Sequence, residues 1–522
     1  MELERPITRR RFVVAAGGAI VAATTPRLLN PAIAKAAPPW SEELFTLGVA
    51  SGDPSADGVV LWTRLAPEPL FGGGMPDRPV AVRWELALDE SMRRIVRRGV
   101  EHARPELAHS VHVELEGLDP GREYFYRFVA GPQQSPVGRA VTAPAGGVDG
   151  LRFAFVSCQD WQNGYYPAYR ALVDDDLDLV VHLGDYIYEY GPEGKSRPGS
   201  PPARVHEGPE VFSLESYRNR HALYRTDVAL QAAHARAPWL VVWDDHEVEN
   251  NYAGDIPEEG TSPPGDFRAR RANAYQAYYE HMPLRRAGYP RLYRSVDWGT
   301  LARFHVLDTR QYRTDQPCGD GLANCAGRFD PAATQTGDAQ EAWLLQSLDS
   351  SPAQWNVLAQ QTIFAEVDFN PAPGSAGPAG LFNVDQWDGY VAQRRRLTQY
   401  LAERRPSNPV VITGDIHSSW ANDVKLDYDD PASPTVASEF VGTSVSSDFP
   451  AVYIAPVQAA LTDNPHVKFF DGLYRGYVRC ALSGSEWRTD FRAVATVDTP
   501  ESPAFTLRSF VVEAGEPGVI AA

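Results

Sequence analysis

The sequence predicts an α/β domain preceded by a small β-sandwich, and two patterns lead to this expectation. Residues 41–145 contain short strand-like segments without long helical periodicity. From residue 151 onwards, apolar strands alternate with helical segments, which is typical of an α/β sheet. An Ala/Gly/Pro-rich stretch at 143–150 separates the two patterns and is interpreted as a linker.

The first 36 residues predict a signal peptide of the twin-arginine type. Arg9-Arg10-Arg11-Phe12 precedes an apolar run that ends at Thr25, and Ala34-Lys35-Ala36 provides small residues for cleavage. These features are typical of export signals, and the run is shorter than the ~20 apolar residues that span a bilayer. We expect the twin-arginine machinery to export the folded protein to the periplasm or the extracellular space. An ordinary secretory signal or an uncleaved anchor is the alternative.

The region 41–145 is predicted to be the sandwich. Turn residues such as Asp119-Pro120-Gly121 separate its strand-like segments, which are 58–65, 80–88, 111–115 and 124–129. Short strands at this spacing favour a sandwich. The phrase 118–126 resembles the last hairpin of fibronectin-type domains.

The region 151–510 is predicted to be the α/β domain. Its expected strands are 151–157, 177–183, 239–243, 302–307, 356–359 and 409–413. Its expected helices are 165–174, 214–223, 266–281 and 385–405. Several strands end directly in polar residues, and ligand sites in α/β sheets form at the carboxyl ends of strands.

Composition narrows the classes of function. The net charge of −18 argues against a nucleic-acid-binding surface. No later segment is apolar enough to span a membrane, and we expect a monomer.

Of the four cysteines, Cys318 and Cys325 flank a short polar loop and could form a disulfide in an exported protein. Cys480 lies in a strand-like segment and is interpreted as a small buried residue.

Three strand-end segments carry the first candidate site residues. Cys158 ends an apolar strand, although a buried structural cysteine would look the same. Asp185 follows Gly184 after the next strand. Tyr188 could return to the same face as Asp185 within one turn, although simple aromatic packing is the alternative explanation for this tyrosine. The third strand is followed by the densest group of ionisable residues, Asp244-Asp245-His246-Glu247.

Two later strand ends add further candidates. Arg310 follows Asp308, and arginine suits bidentate phosphate contact, although a structural Asp308–Arg310 pair is equally expected. Asp415 and His417 straddle one residue, so both can face one metal if the turn is extended.

Together these segments resemble the metallophosphoesterase superfamily, and specifically its alkaline phosphatase D (PhoD-like) family. The resemblance covers essentially the whole chain, and Ser51-Gly52-Asp53-Pro54 with Val60-Leu61-Trp62-Thr63-Arg64 is similar to the N-terminal domain of that family. It implies a four-layer α/β/β/α catalytic domain behind the sandwich. It also implies an alkaline phosphatase or phosphodiesterase that hydrolyses phosphate esters.

The site departs from the general superfamily pattern. Ser157-Cys158 replaces the usual Asp-x-His, Asp244-Asp245-His246-Glu247 replaces Gly-Asn-His-Glu, and Gly414-Asp415-Ile416-His417 replaces Gly-His-x-His. Thiolate, phenolate and imidazole suit ferric iron, whereas carboxylate-rich sites suit calcium. The resemblance implies the same pair, Fe³⁺ with Ca²⁺. Two transition metals such as zinc or manganese are the alternative.

The expected roles follow from these motifs. We expect iron to be bound by Cys158, Tyr188 and His417. We expect Asp185 to bridge, and calcium to be bound by Asp245, Asp415 and a side-chain carbonyl of Asn250 or Asn251. A metal-bound hydroxide would then attack phosphorus in line.

The remaining candidates concern catalysis and substrate. His246 is expected to protonate the leaving alkoxide or bind phosphate, with Asp244 orienting it. Arg310 and Asn251 are the candidates for contact with the phosphate-ester substrate. The rival hypotheses are a secreted, calcium-stabilised binding protein with an inactive site and an iron-dependent oxidoreductase. Monoester, diester and polymer substrates all remain compatible with the chemistry.

Overall fold

The computed structural model describes residues 42–193, 201–258, 264–286, 288–369, 380–430 and 432–522, which belong to one compact unit. The predicted signal peptide at 1–36 lies outside the described residues. None of the helices in the described part of the chain is long and apolar enough to cross a membrane.

Eight strands form the N-terminal region. They are β1 (Val49–Ser55), β2 (Gly58–Arg64), β3 (Val80–Ala87), β4 (Ile95–Ala103), β5 (Ser110–Leu115), β6 (Glu123–Ala130), β7 (Gln133–Gln134) and β8 (Gly138–Val141). Strands β4, β3, β6 and β7 form one sheet in that order, and β8 also pairs with β6. The apolar side chains between this sheet and β1, β2 and β5 form a separate hydrophobic cluster. The prediction of a β-rich N-terminal region is confirmed.

The remaining region mixes strands with helices. Its strands are β9 (Leu151–Val156), β10 (Leu179–His182), β11 (Pro238–Val241), β12 (Arg294–Trp298), β13 (Ala302–Val306), β14 (Leu322–Ala323), β15 (Trp355–Ala359), β16 (Phe382–Asn383), β17 (Pro409–Thr413), β18 (Ser419–Lys425), β19 (Thr435–Val441), β20 (Val467–Asp471), β21 (Arg475–Leu482), β22 (Glu486–Val494), β23 (Ala504–Glu513) and β24 (Glu516–Ala521). Its helices are α1 (Pro167–Asp174), α2 (Leu214–Arg225), α3 (Val228–Arg236), α4 (Pro264–His281), α5 (Gly337–Asp349), α6 (Val391–Arg404) and α7 (Ile454–Ala460). The predicted α/β class is confirmed.

Two large sheets organise this region. The ten-stranded sheet has the order β24-β23-β22-β21-β9-β10-β11-β1-β2-β5, and the seven-stranded sheet has the order β12-β13-β15-β17-β19-β18-β20. Aromatic rings meet between them: Phe153 lies 5.2 Å from Phe304, and Trp355 lies 5.8 Å from Trp487. A second apolar cluster packs α5 and α6 against the seven-stranded sheet. The carboxyl ends of β9, β10, β11 and β17 lie near one another: Cys158 N–H donates to the Gly184 carbonyl at 3.1 Å, Val242 N–H donates to the His182 carbonyl at 3.1 Å, and a Cβ on Gly414 would lie 2.6 Å from the Ser157 hydroxyl.

The N-terminal strands share a sheet with the catalytic region, which the linker interpretation did not anticipate. Strand β1 pairs in parallel with β11, and Gly52 lies opposite Trp239. A Cβ on Gly52 would lie 2.7 Å from the Trp239 carbonyl oxygen, so only glycine fits this approach. Asp53, with a φ of 44°, accepts hydrogen bonds from Arg294 at 3.0 and 2.6 Å. The Ser51-Gly52-Asp53-Pro54 motif thus joins the two regions.

Most predicted elements differ from the observed ones by a few residues, and two differ more. The helix expected at 385–405 begins only at Val391, because Asp385 is held in a turn by ion pairs to Arg310 and Arg313. The region expected to end at residue 510 continues through β24, which ends at Ala521. A disulfide joins Cys318 to Cys325, and Cys480 is buried in β21.

Candidate metal centre

The strand ends at the site have an unusual backbone. Four predicted ligands, none of them glycine, have left-handed φ values: Cys158 at 59°, Asp185 at 55°, Asp415 at 61° and His417 at 59°. This conformation costs about 1–2 kcal/mol for an ordinary residue, and such strain clusters at functional sites. The chain therefore turns sharply after three strands and points polar side chains into one place.

Glycine permits the close approach of these turns. A Cβ on Gly184 would lie 2.3 Å from the Cβ of Asp244, and one on Gly414 would lie 2.6 Å from the Ser157 hydroxyl. Any larger residue at either position would push two strand ends apart. The Gly-Asp pairs in the sequence thus have a packing reason as well as a chemical one.

One donor group combines sulfur, phenol and imidazole. Ligand atoms of Cys158, Asp185 and His417 all lie within 4.8 Å of one another. The Tyr188 hydroxyl lies 3.0 Å from Asp185 Oδ2 and 3.2 Å from His417 Nε2. His417 Nδ1 lies 2.9 Å from the Asp448 carbonyl oxygen, so Nδ1 carries the proton and Nε2 is left as the ligand atom.

A second donor group is rich in carboxylates. Asp185, Asp245 and His246 offer ligand atoms within 4.8 Å of one another, as do Asp244, Asp245 and Asp415. Asp185 Oδ1 is buried without a hydrogen-bond partner among the described residues, and Asp245 Oδ1 has no hydrogen bond there but lies 3.3 Å from a guanidinium nitrogen of Arg310. Buried anionic oxygens are costly unless they are paired. Asp185 Oδ1 is therefore available to a cation, and Asp185 belongs to both donor groups.

The ionisation of the soft donors depends on a cation. Burial, and then the negative charge of Asp185, raise the pKa of the Cys158 thiol and the pKa of the Tyr188 phenol. Both groups therefore keep their protons at neutral pH unless a metal replaces them. The donor set fits a metal centre and does not fit a free nucleophilic thiolate.

His246 is oriented by Glu189 and not by Asp244. His246 Nδ1 lies 2.7 Å from Glu189 Oε2, and both side chains are buried. Burial alone would lower the pKa of His246, but the charges of Glu189 and Asp245 raise it above its usual value. The Tyr188 ring stacks on the imidazole at 4.1 Å between centroids. The prediction that Asp244 orients His246 is therefore wrong in this structure, because the Asp244 carboxylate forms an ion pair with Arg310 instead.

Arg310 lies beneath the site and does not line the pocket. Its side chain is fully buried and its guanidinium forms ion pairs with four carboxylates, those of Asp244, Asp245, Asp385 and Asp415. Burial would lower the pKa of Arg310, but these carboxylates raise it, so the residue stays charged. The proposed substrate contact is not available in this position; the arginine neutralises part of the acidic cluster.

Glu247 connects two of the strand ends. Its carboxylate accepts hydrogen bonds from the backbone amides of Asp185 at 3.0 Å and Asp244 at 2.7 Å. Neither Glu189 nor Glu247 was assigned a role from the sequence. The only signal was their position, four residues after Asp185 and two after Asp245.

Asn250 and Asn251 both line the pocket next to the carboxylates. The Asn251 backbone amide donates to Asp245 Oδ2 at 2.7 Å, and the Asn250 amide donates to Glu189 Oε1 at 3.0 Å. The Asn250 side chain donates to Glu258 at 2.6 Å. Both asparagines therefore fix the geometry of the acidic residues and keep their side-chain carbonyls near the pocket.

A pocket of about 460 Å³ opens over these residues. Its walls include Asp185, Asp245, His246, Asp415 and His417. A volume of this order suits a small organic ligand. The structure thus brings Asp185, Asp245, Asn250, Asp415 and His417 to one cavity, whereas Cys158 and Tyr188 are not among its lining residues.

Comparisons with known proteins agree along the whole chain. The family model described as PhoD-like phosphatase matches residues 153–491, and the PhoD-like phosphatase N-terminal domain matches residues 32–144. Alkaline phosphatase D of Bacillus subtilis (strain 168) is 49% identical over 524 residues, covering 98% of this chain and 88% of that protein. A solved structure titled "Structure of PhoD" superposes with a TM-score of 0.88 at 49% identity, covering 93% of each chain.

These findings define the protein as a phosphoric ester hydrolase on an α/β scaffold with a β-rich N-terminal region. The chain belongs to the PhoD-like phosphatase family. The predictions of the family and of phosphatase activity are confirmed.

Proposed function

We propose that this phosphatase is an exported, metal-dependent enzyme whose centre holds Fe³⁺ beside Ca²⁺. The observation that carries the proposal is the position of Asp185. Its carboxylate belongs both to the group that contains Cys158 and His417 and to the group that contains Asp245. A carboxylate shared by two cation sites is expected of a two-metal hydrolase.

The donor chemistry supports two different metals. Thiol, phenol and imidazole on one side suit ferric iron, and carboxylates with asparagine carbonyls on the other side suit calcium. Zinc or manganese in place of calcium is the alternative. When bound, such metals would polarise the phosphoryl group and lower the pKa of the attacking water.

The chain itself supplies the proton and the orientation. His246 lines the pocket and is held by Glu189 at 2.7 Å. The charges of Glu189 and Asp245 raise the pKa of His246, which favours the protonated imidazole that a proton donor to the leaving alkoxide requires. The hydrogen bond from His417 Nδ1 to the Asp448 carbonyl orients the opposite ring nitrogen toward the Tyr188 hydroxyl.

The experiment that tests the centre is the Asp185→Asn variant. The amide keeps the size of the side chain but loses the charge that two cations would share. We expect loss of both metals by elemental analysis and loss of turnover of a chromogenic phosphate ester. Asp349→Asn, in an exposed ion pair with Arg404, is the matched control and should keep both. Retained metal and turnover in Asp185→Asn would overturn the proposal.

The identity of the second metal has its own test. A calcium-selective chelator should abolish activity if calcium is bound, and added Ca²⁺ should restore it. If the enzyme resists that chelator and yields only to one selective for transition metals, the zinc or manganese alternative holds.

Export and layering complete the proposal. Fusing residues 1–36 to a reporter should give export only in cells with intact twin-arginine machinery.

The four-layer α/β/β/α order is supported by the aromatic contacts between the two sheets and by the packing of α5 and α6 outside one of them. The rival hypothesis of an inactive binding protein gains no support from the family match.

A further inference from the structure

The pocket has a second wall that the phosphate chemistry does not use. It is apolar, and we call it the apolar wall; its residues are Phe369, Ile416, Phe449, Pro450, Tyr453 and Val457. Two of them adjoin the site in sequence: Ile416 lies between Asp415 and His417, and Phe449 follows Asp448, whose carbonyl orients His417. The wall is therefore within reach of the alcohol of an ester whose phosphate lies at the predicted metal ligands.

The apolar wall is part of the folded core. Phe369, Ile416 and Phe449 are partly exposed and pack on a buried cluster around Trp420. Phe369 lies 6.4 Å from Trp420, and Phe449 lies 6.0 Å from Phe470. Gly472 makes room for Phe449, because a Cβ there would lie 2.8 Å from its ring. The rings are thus held in place before any ligand arrives.

The charged residues around the pocket also favour an uncharged, apolar ligand group. Among the described residues that line it, none is lysine or arginine. Asp320 and Asp448 line it in addition to the predicted metal ligands. Apart from His246 beside the predicted metal ligands, a second anionic group on the substrate would meet carboxylates and no cationic side chain among the described lining residues, whereas an uncharged apolar group would bury the exposed rings.

We propose that the apolar wall is the subsite for the alcohol portion of the substrate, and that the enzyme prefers phosphate esters of uncharged alcohols with an aromatic or branched apolar group. The inference rests on the proposed phosphate-ester hydrolysis at the metal ligands. Tyr453, with 53% of its surface exposed, is the residue with most area left to bury on such a group. It is a specificity-determining residue that does not touch the reacting atoms.

The test compares three monoesters with alkyl leaving groups: 2-phenylethyl, ethyl and 2-carboxyethyl phosphate. We expect kcat/KM to fall in that order, with about a tenfold advantage of phenylethyl over ethyl, the size of effect that an apolar pocket gives for a few carbons. Tyr453→Ala should remove most of that advantage, because it should lower kcat/KM for 2-phenylethyl phosphate much more than for ethyl phosphate. Tyr453→Phe should restore it, because the ring remains.

Val452→Ala is the matched control, since Val452 is 72% exposed, adjoins Tyr453 and does not line the pocket. It should keep the wild-type preference. Equal kcat/KM for phenylethyl and ethyl phosphate in the wild type, or a parallel loss for both in Tyr453→Ala, would overturn the subsite. If the proposed metal dependence is wrong, the result differs from failure of the subsite. Removal of metal would then leave turnover of ethyl phosphate unaffected, and the preference between the two esters could still be measured.

Discussion

Replacing Glu189 with Gln removes the charge that holds His246 while it keeps the shape of the side chain. In the native protein Glu189 Oε2 lies 2.7 Å from His246 Nδ1, and Oε1 accepts the Asn250 amide at 3.0 Å. A hydrogen bond to a charged group contributes about 1.5–3 kcal/mol. If that contribution is realised in the transition state, kcat should fall roughly 10- to 100-fold.

The choice of leaving group makes this prediction specific. A proton donor matters most when the leaving alkoxide is basic, so the loss should be large for an alkyl ester and small for a nitrophenyl ester. The pH profile should move as well. Glu189 raises the pKa of His246, so its neutralisation lowers that pKa, and the alkaline limb should shift to lower pH.

Glu341→Gln is the matched control for this variant. Glu341 is also largely buried, but its partner is Arg396, and unlike His246 this partner does not line the pocket. It should leave kcat and the pH profile unchanged. An equal loss of kcat on both esters in Glu189→Gln, with no shift of the alkaline limb, would refute the assignment of His246 as the proton donor.

Two further predictions concern the metal ligands and the acidic cluster. If iron is bound by thiolate and phenolate, the purified protein should absorb visible light, and the Cys158→Ser, Tyr188→Phe double variant should lose this band; a band that survives would refute iron at these donors. Arg310→Met should destabilise the metal-free protein by about 3–5 kcal/mol in chemical denaturation, because it leaves buried carboxylates unpaired. Bound metal should reduce the loss, and Arg404→Met in the exposed pair with Asp349 should change little; equal effects of both substitutions would contradict the role of Arg310.

The candidate ligands could be predicted because local patterns determine where a strand ends. A run of apolar residues followed by Gly-Asp places the carboxylate at the carboxyl edge of a sheet, whatever the order of the strands. Asp185 and Asp415 follow this pattern, Asp245 and His417 were predicted from their positions just after a strand end, and the structure brings the four together. Cys158 and Tyr188 needed the family resemblance, because each alone has a common structural explanation.

Partners that are distant in sequence could not be predicted in the same way. Glu189 and His246 are 57 residues apart, and Arg310 lies 66 residues from Asp244 and 105 from Asp415. Periodicity shows which face a side chain occupies, but it does not show which side chain lies opposite. The mistaken pairing of Asp244 with His246 came from their nearness in sequence.

The sequence by itself determined the family, the α/β class, the strand ends and the types of ligand atom, because these depend on local residue patterns. The tertiary structure alone decided that Glu189 holds His246, that Arg310 is buried under the acidic cluster, and that β1 continues the catalytic sheet. It also placed the apolar wall beside the metal ligands. Each of these depends on strand register and on the packing of segments far apart in the chain, which only the folded structure specifies.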